Sequence, residues 1–174
     1  MTAFQSIDHL RRVVQRDDNE FEIENAGQRW AVSWHAGPIA PDGRAHGSAG
    51  ICVTNGGGVV LISPDGESWS FPAGRPEGAE NWEETLRREM LEEACAVVTD
   101  ARLLGFSRGR CIEGCELGLV LVRSIWLAKV RLLDWRPEFE IHFRRVVPAS
   151  EALMHESAAF RPLWLKAFAE AHLL

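Results

Sequence analysis

Apolar side chains recur with more than one period along this chain. Phe4, Ile7, Leu10 and Val14 fall at helical spacing within residues 4–16, which predicts a short amphipathic helix. From Phe21 the period shortens to two. Phe21 and Ile23, a turn-like Asn25-Ala26-Gly27, then Trp30, Val32 and Trp34 alternate with polar residues as a β-hairpin does. The Gly/Pro-rich stretch HAGPIAPDGRAHGSAG reads as a linker. Residues 1–45 are therefore a candidate accessory helix and hairpin, and residues 46–174 the main domain. In the latter, GICVTNGGGVVLISPDGESWSFP reads as strand, Gly-rich turn, strand, turn and short strand. Residues 80–94 are mostly good helix formers without Pro or Gly, and the helix they predict is entered from a loop, not a capping box. ARLLGFSRG and ELGLVLVRSIWLAKVRLL read as strands, the second long and largely buried. SEALMHESAAF and RPLWLKAFAEAHLL read as one broken helix or two short ones, split before Pro162. The fold class is mixed α/β, with one helix lying between groups of strands.

Composition narrows the picture without changing it. A chain of 174 residues, 46% hydrophobic and 25% charged, suits one globular domain, and no apolar run approaches the ~20 residues of a membrane span. The start, MTAFQSIDHLRRVV, lacks the features of a secretory signal, so a cytoplasmic location is expected. Cys52, Cys95, Cys111 and Cys115 are too scattered for a disulfide framework and are expected to be reduced. A formal net charge of −6 disfavours duplex nucleic acid, whose phosphates demand Lys and Arg. A small phosphate ligand remains open if a metal supplies the positive charge.

The candidate chemistry lies in GRPEGAENWEETLRREMLEEACA, residues 74–96. At 3.6 residues per turn Glu89, Glu92 and Glu93 share one side of the helix, beside an apolar stripe of Trp82, Leu86 and Met90. Partly desolvated carboxylates at that spacing repel one another unless a cation compensates, and Mg²⁺ or Mn²⁺ prefers such oxygen donors. A plain alternative exists: Arg87 and Arg88 paired with Glu83, Glu84 and Glu92 on a solvated face, each pair contributing about 0.3–0.5 kcal/mol.

The loop before the helix decides between them. Gly74 and Gly78 frame a tight bend, and the stretch as a whole resembles the signature of the Nudix hydrolase superfamily, G-x5-E-x7-R-E-U-x-E-E-x-G-U. Gly74, Glu80, Arg88, Glu89, Met90, Glu92, Glu93 and Ala96 fill it in register. Cys95 stands where the family has its second Gly, a poorer residue for a left-handed helix end. The resemblance implies a Nudix-type α/β/α sandwich of mixed β-sheets and divalent-metal-dependent hydrolysis of a nucleoside diphosphate linked to another moiety, X. It makes Glu89, Glu92 and Glu93 metal ligands with the backbone carbonyl of Ala73, Arg88 an orienting partner of a Glu, and Glu80 structural. The general base is a signature Glu (Glu89 or Glu93) or a later acid, Glu138 or Glu140.

Arg75, Trp69, Arg108 and Arg110 are candidate substrate contacts, the last two as loop arginines near phosphates and Trp69 as a stacking surface. Cys111-x3-Cys115 lacks a second ligand pair for zinc, and His142 and His155 have no evident nucleophile to serve. Within the family it resembles, a Tyr marks the diadenosine polyphosphate type, a Pro some fifteen or sixteen positions past the second Gly of the box the ADP-ribose type, and SQPWPFPxS the NADH type; this chain has none of these, so X stays unnamed, and a nucleoside triphosphate and a nucleotide sugar both fit. Two alternatives on the same fold are a weakly active or inactive nucleotide-binding regulator and an isoprenoid diphosphate isomerase. Residues 1–45 suit either a homodimer contact or a monomer cap.

Overall fold

A computed structural model of the protein describes residues 19–137 and 139–174. The helix expected over residues 4–16, and Glu138, lie outside them. Among the described residues eight strands form one mixed sheet: β1 (Glu20–Asn25), β2 (Gln28–Ala36), β3 (Arg44–Thr54), β4 (Val59–Ser63), β5 (Ala73–Gly74), β6 (Ala96–Glu113), β7 (Val120–Leu132) and β8 (Phe143–Val147). The order is β1-β2-β6-β7-β3-β4-β8, with the short β5 on β3. Among the described strands β3 and β7 alone pair in parallel; the other pairs are antiparallel. Helix α1 (Trp82–Ala94) follows β5, and α2 (Ala149–His155) and α3 (Arg161–Glu170) end the chain.

Alternation along the central strands builds two cores. Ile51 of β3, Val59 and Leu61 of β4 and Ile125 of β7 pack with Trp164 and Phe168 of α3. Their neighbours Cys52, Val60, Ile62, Trp126 and Ala128 pack with Leu86 and Met90 of α1. The sheet is thus covered on both faces, which is why these strands read as continuous apolar runs. The layers are the α/β/α sandwich implied by the signature.

Three local expectations are corrected. Residues 44–50 are not linker but the first half of β3; their small residues fit a crowded central position, where a Cβ on Gly47 would stand 2.1 Å from the Gly74 carbonyl oxygen. The strand read in ARLLGFSRG does not end at Gly109: β6 runs on to Glu113, so Arg108 and Arg110 are strand and not loop residues. And α1 does open on a capping box. The Asn81 side chain accepts from the backbone N–H of Glu83 and Glu84, and the Glu84 carboxylate accepts from the Asn81 N–H at 2.8 Å. Asn-x-x-Glu is a recognisable variant of that motif.

Cys95 ends the helix in the left-handed conformation, φ 44° and ψ 52°, the position for which Gly is favoured. Its N–H donates to the Met90 carbonyl. The helix has no basic residue in its last turn; instead Arg144 of β8 donates to the Ala94 and Cys95 carbonyls at 2.7 and 3.1 Å. A positive charge from another element thereby meets the negative end of the helix dipole.

Candidate active site

Burial of Leu86 and Met90 fixes the rotation of α1, and that rotation decides where its acids point. Glu89 is 8% exposed. Its carboxylate lies against Gly74, where a Cβ would fall 1.8 Å from the Glu89 carboxyl carbon, so only Gly leaves room for the acid. Gly74→Ala is expected to fold, because the obstructed group ends a flexible side chain. Displacing that carboxylate by an ångström or so should cost about 10²-fold in turnover, measured as kcat beside an unchanged circular dichroism spectrum.

Arg88 organises the acidic side. Its Nε and Nη2 donate to the Glu80 carboxylate at 2.8 and 3.1 Å, Nη1 to Glu92 at 2.8 Å, and Nη2 to the Arg75 carbonyl at 2.7 Å. Glu89 Oε1 lies 3.0 Å from the same Nη2. The forked pair with Glu80 ties the helix to the loop before it and holds the Glu80 carboxyl down at about 2.

Desolvation pushes Glu89 up from the usual carboxylate range. The same cause takes Glu93 to about 7, against the opposing Ala73 N–H, which donates to Glu93 at 2.9 Å. Charge on Glu89 and Glu140 raises Glu93 further, so exposed Glu140 lies on this side of the molecule. Among the described residues no three His, Cys, Asp or Glu side chains converge as a finished metal cage: Glu89 and Glu92 are turned to Arg88, and Glu93 to the Ala73 N–H. The donor chemistry nevertheless fits a hard divalent cation, being all oxygen and including two acids whose charge the fold leaves undercompensated.

Glu93 and Ala73 border a cavity of about 630 Å³ lined also by His46, Trp69, Arg123, Trp30, Phe160 and Glu156. Trp69 stacks under the Arg145 guanidinium, 3.7 Å from its ring centroid. Arg123 was not singled out from the sequence, although it is a lone charge inside the apolar run VLVRSIWLA. Burial lowers its pKa, while Glu93 and Glu89 raise it. His46 had no sequence signal. Burial first, then Arg123, Arg75 and Arg44, bring it down to about 4, so it is neutral at pH 7 amid three guanidinium groups.

Other candidates fall elsewhere. Ser107 and Gly109 of β6 line the cavity, so the alternating Arg108 and Arg110 face away from it, and Arg108 donates to the Asp42 carbonyl at 3.1 Å. Exposed Arg75 sits at the loop, near enough to His46 and Arg123 to lower the pKa of both. All four cysteines are free; Cys111 and Cys115 both reach the Gln28 side-chain oxygen, at 3.6 and 3.4 Å. His155 lies 3.5 Å from Arg145.

The class of protein that this sandwich and acidic helix define is confirmed by comparison. The NUDIX domain model matches residues 44–168. The chain belongs to the Nudix family and is an enzyme of it, a hydrolase. Among solved structures it is similar to a mutant of the Bacillus subtilis pyrophosphohydrolase BsRppH, with a TM-score of 0.66 and 24% identity over 87% of this chain and 97% of that one. A MutT protein from work on Aliivibrio salmonicida and Vibrio cholerae gives a TM-score of 0.51 and 20% identity over 73% of this chain and 99% of that one. The NUDIX domain of Shewanella oneidensis NrtR, complexed with ADP ribose, gives 0.53 and 16% over 77% and 90%. No curated protein matches the chain in sequence. Among the described residues no helix is long and apolar enough to cross a membrane.

Proposed function

We propose that the chain hydrolyses a phosphoanhydride bond in a nucleoside diphosphate linked to X, a nucleoside triphosphate or nucleotide sugar, using Mg²⁺ or Mn²⁺ held by Glu89, Glu92, Glu93 and the Ala73 carbonyl. The observation that carries this reading is the meeting of Glu93, raised to about 7 by burial, with Arg123 on the wall of one aromatic cavity. A bound divalent cation neutralises phosphate charge and acidifies water. Arg123 and Arg75 offer guanidinium donors to phosphate oxygens, and neutral His46 offers one further N–H. Trp69, backed by Arg145, gives a flat surface for a base. Arg88 acts through Glu89 and Glu92, holding them until the cation competes for them. The attacking water's proton goes to one of Glu89, Glu93, Glu138 or Glu140, and their Gln variants separate these roles.

The test incubates the protein with Mg²⁺ or Mn²⁺ and a panel of nucleoside triphosphates, nucleotide sugars, dinucleotides and coenzyme A derivatives, with products identified by mass spectrometry. Cleavage at one phosphoanhydride supports the reading and identifies X. Binding without cleavage would instead favour a regulator, and an isomerised diphosphate would point to the isomerase.

The raised Glu93 also predicts a pH dependence. A carboxyl with a raised folded pKa binds its proton more tightly folded than unfolded, so metal-free stability falls as pH rises from about 4.5 to about 7. A cation relieves the charge that this rise creates, and at low pH it competes with the proton. At fixed Mg²⁺ the rise in Tm is therefore expected to be larger at pH 8 than at pH 6, by differential scanning fluorimetry. Equal rises at the two pH values would remove Glu93 from the ligand set.

A further inference from the structure

The part of the cavity formed by the α2–α3 junction contains an acid that the hydrolytic chemistry does not use. Glu156 ends α2, is 8% exposed, and lines the same cavity as Glu93, beside Ser157, Phe160 and Trp164. It belongs to the face of the sheet covered by α3, whereas Glu93 rises from α1 on the other face. Its Oε1 accepts from the Ser157 N–H at 2.9 Å, and the Phe71 N–H and Ser157 hydroxyl also favour its charged form, with Arg161 nearby. The Arg161 guanidinium is spent on the Leu153 and Glu156 backbone carbonyls. Among the described residues, no Lys, Arg or His forms a salt bridge with the Glu156 carboxylate within 4.0 Å.

A buried carboxylate without a countercharge is costly unless its oxygens are filled. The Ser157 and Phe71 N–H groups and the Ser157 hydroxyl fill up to three of its roughly four lone-pair sites, the hydroxyl's by a bond that its rotation can release to a ligand, and desolvation raises its pKa in their despite. Around it stand Trp69, Phe71, Phe160 and Trp164, with Phe71 and Trp164 in ring contact at 4.1 Å. Flat aromatic walls with one acceptor-only group at the edge suit a flat heterocycle that presents adjacent N–H donors. Among nucleobases guanine alone combines a ring N1–H with a neighbouring N2 amino group. Adenine puts an acceptor at N1 and would meet the carboxylate with like polarity.

Resting on the hydrolase reading above, we infer that Glu156 is a specificity-determining residue, accepting hydrogen bonds from the N1–H and N2 amino group of a guanine base, so that X is carried by a guanosine nucleotide. Glu156 touches the base and not the reacting phosphates, so it sets discrimination between bases and leaves the chemistry to Glu89, Glu92 and Glu93.

The experiment measures kcat/KM for GTP, ITP and ATP with Mg²⁺, and separately the binding of GMP, IMP and AMP to the same protein by tryptophan fluorescence. ITP keeps N1–H but lacks the 2-amino group, so the expected order is GTP, then ITP, then ATP. The GTP to ATP ratio should be on the order of 10–100, as for a bidentate base contact, with the same order among the monophosphates. In Glu156→Gln the ratio should fall to near one, whereas a merely structural loss would lower all three substrates together; Glu156→Asp should keep the order at reduced size. Equal use of GTP and ATP by the unmodified protein, or ATP preferred, overturns the inference while turnover itself upholds the hydrolase. No cleavage of these triphosphates or of any member of the wider panel above, with GMP still preferred over AMP, leaves the base contact standing and removes the hydrolase reading instead. Should Glu156→Gln not fold, the order among GMP, IMP and AMP on the unmodified protein decides alone.

Discussion

Glu93→Gln is expected to lower turnover by about 10²–10³-fold, the usual cost of removing one charge stabiliser from an active site, while making the metal-free protein more stable. The two effects share a cause. Gln keeps the shape of Glu93 and its carbonyl oxygen can still accept the Ala73 N–H, but it carries no charge into a partly desolvated position already crowded by Glu89 and Glu140. Above about pH 7 the unmodified side chain must be ionised in the fold, against its burial. Removing that charge should add about 1–2 kcal/mol, or roughly 3–6 °C in Tm for a domain of this size. Kinetics with the substrate found by the panel and calorimetry at pH 8 without metal check the pair of effects. A variant that is inactive because it is unfolded would show the opposite thermal change. A variant that keeps full turnover would remove Glu93 from the chemistry altogether.

Arg88→Lys should be as damaging as loss of the residue, despite the retained charge. The guanidinium meets Glu80 through two nitrogens, Glu92 through the third, and the Arg75 carbonyl as well. One ammonium cannot occupy these positions at once. Removing the fork leaves Glu80, Glu89 and Glu92 close together without a common partner, and loosens the loop that brings Ala73 and Gly74 to the helix. With the Arg88 side chain only 19% exposed, the expected loss is about 2–4 kcal/mol, short of or near the 3–5 kcal/mol of a fully buried pair. Turnover should fall with it, and Mg²⁺ should restore part of the lost stability by taking over the same acids. Chemical denaturation with and without Mg²⁺ measures both, and a loss below about 1 kcal/mol would place Arg88 among ordinary surface pairs.

Residues 74–96 carried most of what the sequence could say, because the signature encodes geometry that is local. Helical periodicity alone places Glu89, Glu92 and Glu93 beside Leu86 and Met90, and the glycines before them report a close approach of chain to carboxylate. What was missed depends on long-range pairing. Arg123 becomes a cavity residue only because β7 lies in parallel beside β3, and His46 only because residues 44–50 are strand. Arg108 and Arg110 misled for the complementary reason: as a loop they could reach phosphates, but as alternate positions of β6 they follow the strand's pleat away from Ser107 and Gly109. The Asn81 capping box is legible in the sequence as Asn-x-x-Glu, Asn81 and Glu84, at the start of the helix.

The parallel pairing of β3 with β7 also bears on how the chain reaches this structure. Arg44 pairs with Leu121 and Thr54 with Val130, so the middle of the sheet joins segments that are far apart along the chain. Such non-local contacts form slowly, since loop closure comes before any gain. Helix α1, capped and locally encoded, is by contrast free to form early. During synthesis, which proceeds from the N-terminus, β3 and β4 emerge well before the strand that must fill the gap between β3 and β6. Insertion of β7 is then the step that closes the middle of the sheet, and it brings Arg123 to the waiting carboxylates, so catalytic competence arrives with the last central strand and not with the helix that bears the signature.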